Sequence, residues 1–117
     1  MRAARIHEFG HSDRIHVEDI PVPAQGPDDV LVRIDAAGVN PVDWKIREGL
    51  FGSGHLPFTL GQDFSGQVIA VGEDVLDIEA DENVYGFASG AYAEYAVVRP
   101  DWIANKPITV DDATAAT

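Results

Sequence analysis

The sequence predicts a mainly β fold: a partly open β-barrel carrying short helices. Three observations point there. The stretch Val30-Leu31-Val32-Arg33-Ile34-Asp35-Ala36 alternates with period two, placing Val30, Val32, Ile34 and Ala36 on one face and Leu31, Arg33 and Asp35 on the other. Eleven glycines and seven prolines cut the remaining apolar segments into short runs. The internal helix signal covers only about two turns, and the order of elements lacks the βαβ alternation of a nucleotide-binding parallel sheet.

Taken in order, Arg2 to Phe9 reads as a first strand and Arg14 to Ile20 as its hairpin partner, across Gly10-His11-Ser12-Asp13. Pro21, Pro23, Gly26 and Pro27 mark a loop, because each proline removes a donor from any sheet ladder. After the strand from Val30, Asn40-Pro41 opens a helix, with Asn as N-cap and Pro in the first turn; Val42 to Glu48 fills it and Gly49 stops it. Phe64 to Val71 is a strand with Phe64, Gly66, Val68 and Ala70 on one side, ended by Gly72. Val84 to Phe87, Ala91 to Val98 and Trp102 to Ala104 follow as strands. Thr109-Val110-Asp111-Asp112 has the spacing of a capping box, with Asp in place of the usual Glu, opening a last helix.

Composition excludes several functions. No cysteine occurs, which removes disulfides, thiolate zinc sites and cysteine nucleophiles. Eight basic residues against twenty acidic ones give −12, which opposes nucleic acid or an anionic membrane as a partner. Six of the basic residues are Arg and two are Lys, while thirteen of the acids are Asp. Such a surface fits either salt adaptation or a merely acidic protein. No apolar run approaches the ~20 residues of a membrane helix and no signal-peptide core follows the N-terminus, so a cytoplasmic location is expected.

Among polar clusters, Gly38-Val39-Asn40-Pro41-Val42-Asp43-Trp44-Lys45 stands out, since it runs from a strand end into a helix, where side chains project into clefts. Asn40 offers an amide, Asp43 a carboxylate and Lys45 an ammonium. The competing reading makes Asn40 a helix cap and Asp43 a partner of the helix dipole. His7, His11 and His16 lack ligand spacing in a strand-turn-strand segment. Gly49-Leu50-Phe51-Gly52-Ser53-Gly54 is neither a GxGxxG nor a GxSxG element, and the acidic run from Glu73 to Glu82 lacks a calcium-loop pattern.

Together these segments resemble the N-terminal, GroES-like domain of the medium-chain dehydrogenases/reductases, in the zeta-crystallin-like quinone oxidoreductase branch. The residues that carry the resemblance are His7-Glu8-Phe9-Gly10, Glu18 to Pro23, Val30 to Ile34, Ala36 to Arg47, Leu60 to Gly66, Val68 to Gly72 and Gly90 to Tyr95. They occur in the family's order along the whole of residues 1–117, and Ala36 to Arg47 is the most specific. The resemblance implies a two-domain NAD(P)H-dependent reductase of quinones or other α,β-unsaturated carbonyls. The nicotinamide would lie between this domain and a Rossmann domain absent from the chain.

Zinc-dependent members carry Cys where this chain has Asn40 and His where it has Gln62, so a zinc-independent protein without a metal is implied. Asn40 and Lys45 are the groups expected to face NADPH (or NADH) and substrate, with Asp43 orienting its neighbours. Phe51, Gln62 and Asp63 are expected to line the substrate cleft. Many relatives have Tyr at the positions of Lys45 and Phe51. The family's turn glycine is replaced by Asp81, which should adopt a left-handed conformation. On this reading the chain alone is inactive and its docking partner is the missing Rossmann domain. The alternative is a stand-alone, non-catalytic β-barrel binding or interaction module, closed and well packed around Asn40.

Overall fold

The computed structural model describes residues 1–50 and 56–117. Two antiparallel sheets form the body. The smaller joins β1 (Arg2–Ile6), β2 (His16–Asp19) and β4 (Phe58–Thr59) in the order β2-β1-β4. The larger joins β3 (Val30–Ala37), β5 (Asp63–Val71), β6 (Asn83–Phe87), β7 (Tyr95–Val98) and β8 (Ile103–Asn105) in the order β7-β3-β5-β6-β8. Two short α-helices, α1 (Pro41–Arg47) and α2 (Asp112–Ala115), complete it with two 3-10 turns, Ser12–Arg14 and Pro100–Trp102. The architecture is the expected mainly β, partly open one. Among the described residues no helix is long and apolar enough to cross a membrane.

The core follows the period-two faces. Val30, Val32, Phe64, Val68, Val84, Ala88, Ala91, Ala96 and Val98 form one buried cluster, drawn from β3, β5, β6, β7 and the turn after β6. Burying a side chain such as Phe64 contributes about 1.5–3 kcal/mol. Gly66 sits opposite Ile34 where the β3–β5 register shifts; a Cβ there would lie 1.9 Å from Arg33 O, so only glycine permits this approach of the two strands. Asp81 adopts φ +73, as its place at the family's turn glycine requires, and its amide donates to Val68 O at 2.8 Å.

Three elements differ from expectation. The segment Ala91 to Val98 is not one strand: it becomes β7 only at Tyr95. Before that its backbone crosses to the small sheet, with Tyr92 N donating to Leu60 O (2.9 Å), Ala4 N to Tyr92 O (2.8 Å) and Ala3 bridging Ala93. Gly90, at φ +104, makes the bend that permits this. The two-residue β4 has no periodic signal and exists through its pairing with β1. The cap of α2 is Asp111 rather than Thr109, its Oδ1 accepting from Thr114 N at 2.8 Å.

The face of β5 opposite the core is also covered. Ser65 is wholly buried because α2 lies across β3 and β5. This helix brings the last described residues onto the turn that follows β3. Ala116 is buried, and its carbonyl oxygen would be 2.3 Å from a Cβ on Gly38.

Candidate active site

The turn between β3 and α1 collects polar groups from three parts of the chain. Gly38 N donates to Asp63 O at 2.9 Å, which fixes the end of β3 against the start of β5. Two residues on, Asn40 is extended (φ −127, ψ 162), as an N-cap should be, and Pro41 begins α1. Asp43 at the third helical position turns back, its Oδ2 accepting from Asn40 N at 2.7 Å. Asn40 is thus the cap, and Asp43, expected only as a partner of the helix dipole, also satisfies an otherwise unpaired donor at the helix start.

Asn40 has a second engagement. Its Nδ2 donates to Asp63 Oδ2, across 23 positions of sequence. The side chain ties the helix start to β5 and keeps its second amide hydrogen for another acceptor. The far end of α1 is pinned too. Gly10 N donates to Arg47 O at 3.0 Å, and Arg47 Nε to Gly10 O at 3.2 Å. A short helix that propensity alone would not sustain is thus held at both ends by tertiary bonds.

Asp43 is buried, with 7% of its surface exposed, and its Oδ1 has no hydrogen-bond partner among the described residues. Tyr92 reaches the same place from the crossing segment between the sheets. Its hydroxyl donates to Gly38 O at 2.9 Å. Desolvation first, then the closeness of the Asp43 carboxylate through both charge and hydrogen bonding, and last the charge of Asp63, push the Tyr92 phenol up to about 12. Tyr92 thus stays protonated and neutral beside two carboxylates.

The remaining predicted residues fall nearby or elsewhere. Lys45, half-buried on α1, carries its Nζ 5.8 Å from the Trp44 ring centroid, a cation–π position. Gln62, immediately before β5, is half-buried, and its carbonyl accepts from Ala88 N at 2.6 Å. Phe51 lies outside the described residues, as does the stretch through His55. His7 and His11 each face a carboxylate, Glu18 and Glu48 respectively. An apolar groove of about 270 Å³ between the sheets, lined by Ile20, Phe58, Tyr95 and Val97 among others, includes none of the Asn40 cluster. The cluster instead borders an open surface on which Val39 is 83%, Leu50 63% and Trp44 43% exposed.

Tyr92 belongs to a stretch that carries the family resemblance, yet nothing local assigns it a role. Its contacts depend on the strand crossing between sheets, which has no local signature.

Comparison with known proteins agrees with this architecture. The alcohol dehydrogenase GroES-like domain family matches residues 26–108. A quinone oxidoreductase of Lama guanicoe is 37% identical over 115 residues, 95% of this chain and 35% of its own length. An NADPH-dependent alkenal/one oxidoreductase of Arabidopsis thaliana is 36% identical over 129 residues, 99% of this chain and 33% of its own length. The quinone oxidoreductase structure from Coxiella burnetii superposes with a TM-score of 0.91 at 34% identity, covering 99% of this chain and 40% of that one. The chain thus spans about a third of the length of the relatives it matches. The matched family spans well over half of the chain, so the chain belongs to the alcohol dehydrogenase GroES-like domain family of the medium-chain dehydrogenases/reductases, and quinone oxidoreductases are among the relatives similar to nearly all of it.

Proposed function

We propose that this chain is the substrate-side domain of a cytoplasmic, zinc-independent oxidoreductase that reduces quinones or α,β-unsaturated carbonyls with NADPH. A separate Rossmann domain would hold most of the nucleotide. The observation that carries the proposal is the 36–37% identity to quinone and alkenal/one oxidoreductases over 95% or more of the chain. The exposed Val39, Trp44 and Leu50 around the site support it, because the alternative of a self-contained binding barrel calls for a closed surface there.

The donor set fits one end of the nucleotide. Asn40 presents a neutral amide, and Asp43 and Asp63 present acceptors, which suits the carboxamide and ring of a nicotinamide. The same carboxylates, on a chain of net charge −12, repel a pyrophosphate. The phosphates therefore need positive groups or a helix N-terminus supplied by another domain. When bound, NADPH supplies the hydride.

The residues of this chain would do the remaining work. Negative charge develops on the carbonyl oxygen as the substrate is reduced, and it needs donors. The free amide hydrogen of Asn40 and the ammonium of Lys45 are the donors this segment offers. Asp63 holds the Asn40 side chain, and Asp43 holds its backbone. Lys45 can also release a proton to the reduced oxygen, completing a two-electron, two-proton reduction.

The test is an assay of NADPH oxidation with 1,4-benzoquinone and with an enal. The 117-residue chain alone should stay at background, while the same domain joined to its natural partner should turn over. Ordinary enzymatic turnover by the isolated chain would overturn the division of labour proposed.

A further inference from the structure

We propose that Tyr92 is a positioning residue for the Asn40 cluster, setting the β3–α1 turn through its hydroxyl bond to Gly38. Its consequence for turnover rests on the function proposed above; its structural part does not.

Gly38 is held from three directions. Asp63 O takes its N–H at 2.9 Å, Ala116 O closes on its α-carbon, and Tyr92 Oη donates to its carbonyl oxygen at 2.9 Å. The first two contacts fix where the backbone lies. The third bonds the carbonyl of the Gly38–Val39 peptide, one residue short of Asn40, and so controls how the peptide plane faces. A carbonyl has two lone pairs but one preferred plane, so this bond restrains the rotation that would swing Asn40 off Asp63.

Tyr92 is itself firmly rooted. Its own N–H and C=O are both engaged, with Leu60 O and Ala4 N. Its ring lies against Gly61, where a Cβ would come within 2.6 Å of Tyr92 Cδ1; Gly61, at φ +100, is the opening that admits the ring. The hydroxyl therefore projects from a backbone fixed to the small sheet, and the turn it reaches, at the end of β3 in the larger sheet, carries the candidate site. The same hydroxyl is adjacent to the Asp43 and Asp63 carboxylates, whose proximity keeps it protonated and able to donate. A phenylalanine would keep the ring packing and remove only the donor.

The experiment compares the wild-type chain with Tyr92→Phe by ¹⁵N NMR and amide hydrogen exchange. The Gly38 and Val39 N–H signals, the latter in the peptide plane of the Gly38 carbonyl, and the Asn40 side-chain amide should shift. As the turn loosens, the Gly38 N–H held by Asp63 O should exchange about five- to tenfold faster. Amides of Val32 and Val68 in the core should exchange as before. Unchanged signals at Gly38 and Asn40, or acceleration spread evenly over the chain, would overturn the proposal.

The second arm uses the natural enzyme that contains this domain. Tyr92→Phe should lower kcat several-fold with little change in KM. Combined with Asn40→Ala it should add nothing to the loss from Asn40→Ala alone. Fully additive losses count against positioning through Asn40. A wild-type enzyme inert toward quinones and enones would sink the function instead, leaving the NMR result to decide the structural claim.

Discussion

Ser65 and Asp112, 47 positions apart, close the domain: the buried Ser65 hydroxyl lies 2.7 Å from Asp112 O and 3.0 Å from Asp112 Oδ1. Lys106 Nζ completes the arrangement at 3.2 Å from the same Oδ1, with 14% of its side chain exposed. These contacts hold α2 across β3 and β5, and through Ala116 they place the end of the chain on the turn before Asn40.

Asp112→Ala should therefore leave a largely buried Lys106 ammonium short of a partner, while the Ser65 hydroxyl keeps the backbone carbonyl of residue 112. A loss of about 1–3 kcal/mol in urea unfolding is expected. The exposed Arg99–Asp101 pair provides the contrast: Asp101→Ala should change stability by less than about 0.5 kcal/mol. Equal effects from the two substitutions would deny the α2 contact its structural importance.

Gly66→Ala tests the close approach of β3 and β5. The added methyl meets backbone, Arg33 O at 1.9 Å, so no side-chain rotation relieves it. Overpacking of this kind costs about 1–3 kcal/mol or more. A lowered denaturation midpoint with weakened exchange protection at Ile34 is expected. Wild-type stability would mean that the register shift at Ile34/Ala36 yields freely.

The Tyr92 phenol gives a pH signature. Pushed up from 10.0 to about 12, it should ionise well above the ordinary phenol range in an alkaline absorbance titration. Because the folded state holds this proton more tightly than the unfolded chain, its stabilising contribution is complete below about pH 10 and is lost as pH rises toward 12. Asp43→Asn removes one of the neighbouring charges and should bring the Tyr92 midpoint down. An unmoved midpoint would leave desolvation and the Asp63 charge as the causes.

In the two-domain enzyme proposed above, Asn40→Ala should lower kcat by about 10²-fold or more if its amide meets the developing oxyanion. Lys45→Ala should cost less, since the ammonium also engages Trp44 and solvent can replace a proton donor. Steady-state kinetics with a quinone measures both. Undiminished rates in the two variants would remove the catalytic assignment.

Alternation of apolar and polar residues was enough to identify β3 and β5, because the face toward the core is written every second position. Asn40-Pro41 likewise specified the start of α1, since cap chemistry is local. Asp81 could be expected in a left-handed conformation from the resemblance, because it stands at the family's turn glycine. No such local rule covers β4, the crossing of Ala91 to Glu94 between sheets, or the burial of Ser65 beneath α2. Each depends on a partner many positions away in the chain.

The candidate site divides the same way. Asn40 as the cap and Asp43 in the first turn of α1 could be read from local spacing, though not the bond between them. Asp63 was placed in the cleft by family resemblance, but its bond to Asn40, and the arrival of Tyr92 at Gly38, required the sheets to be folded together. Period and capping are read from neighbours within four residues. A polar cluster spanning 54 positions comes into being only when packed strands bring its members within bonding distance.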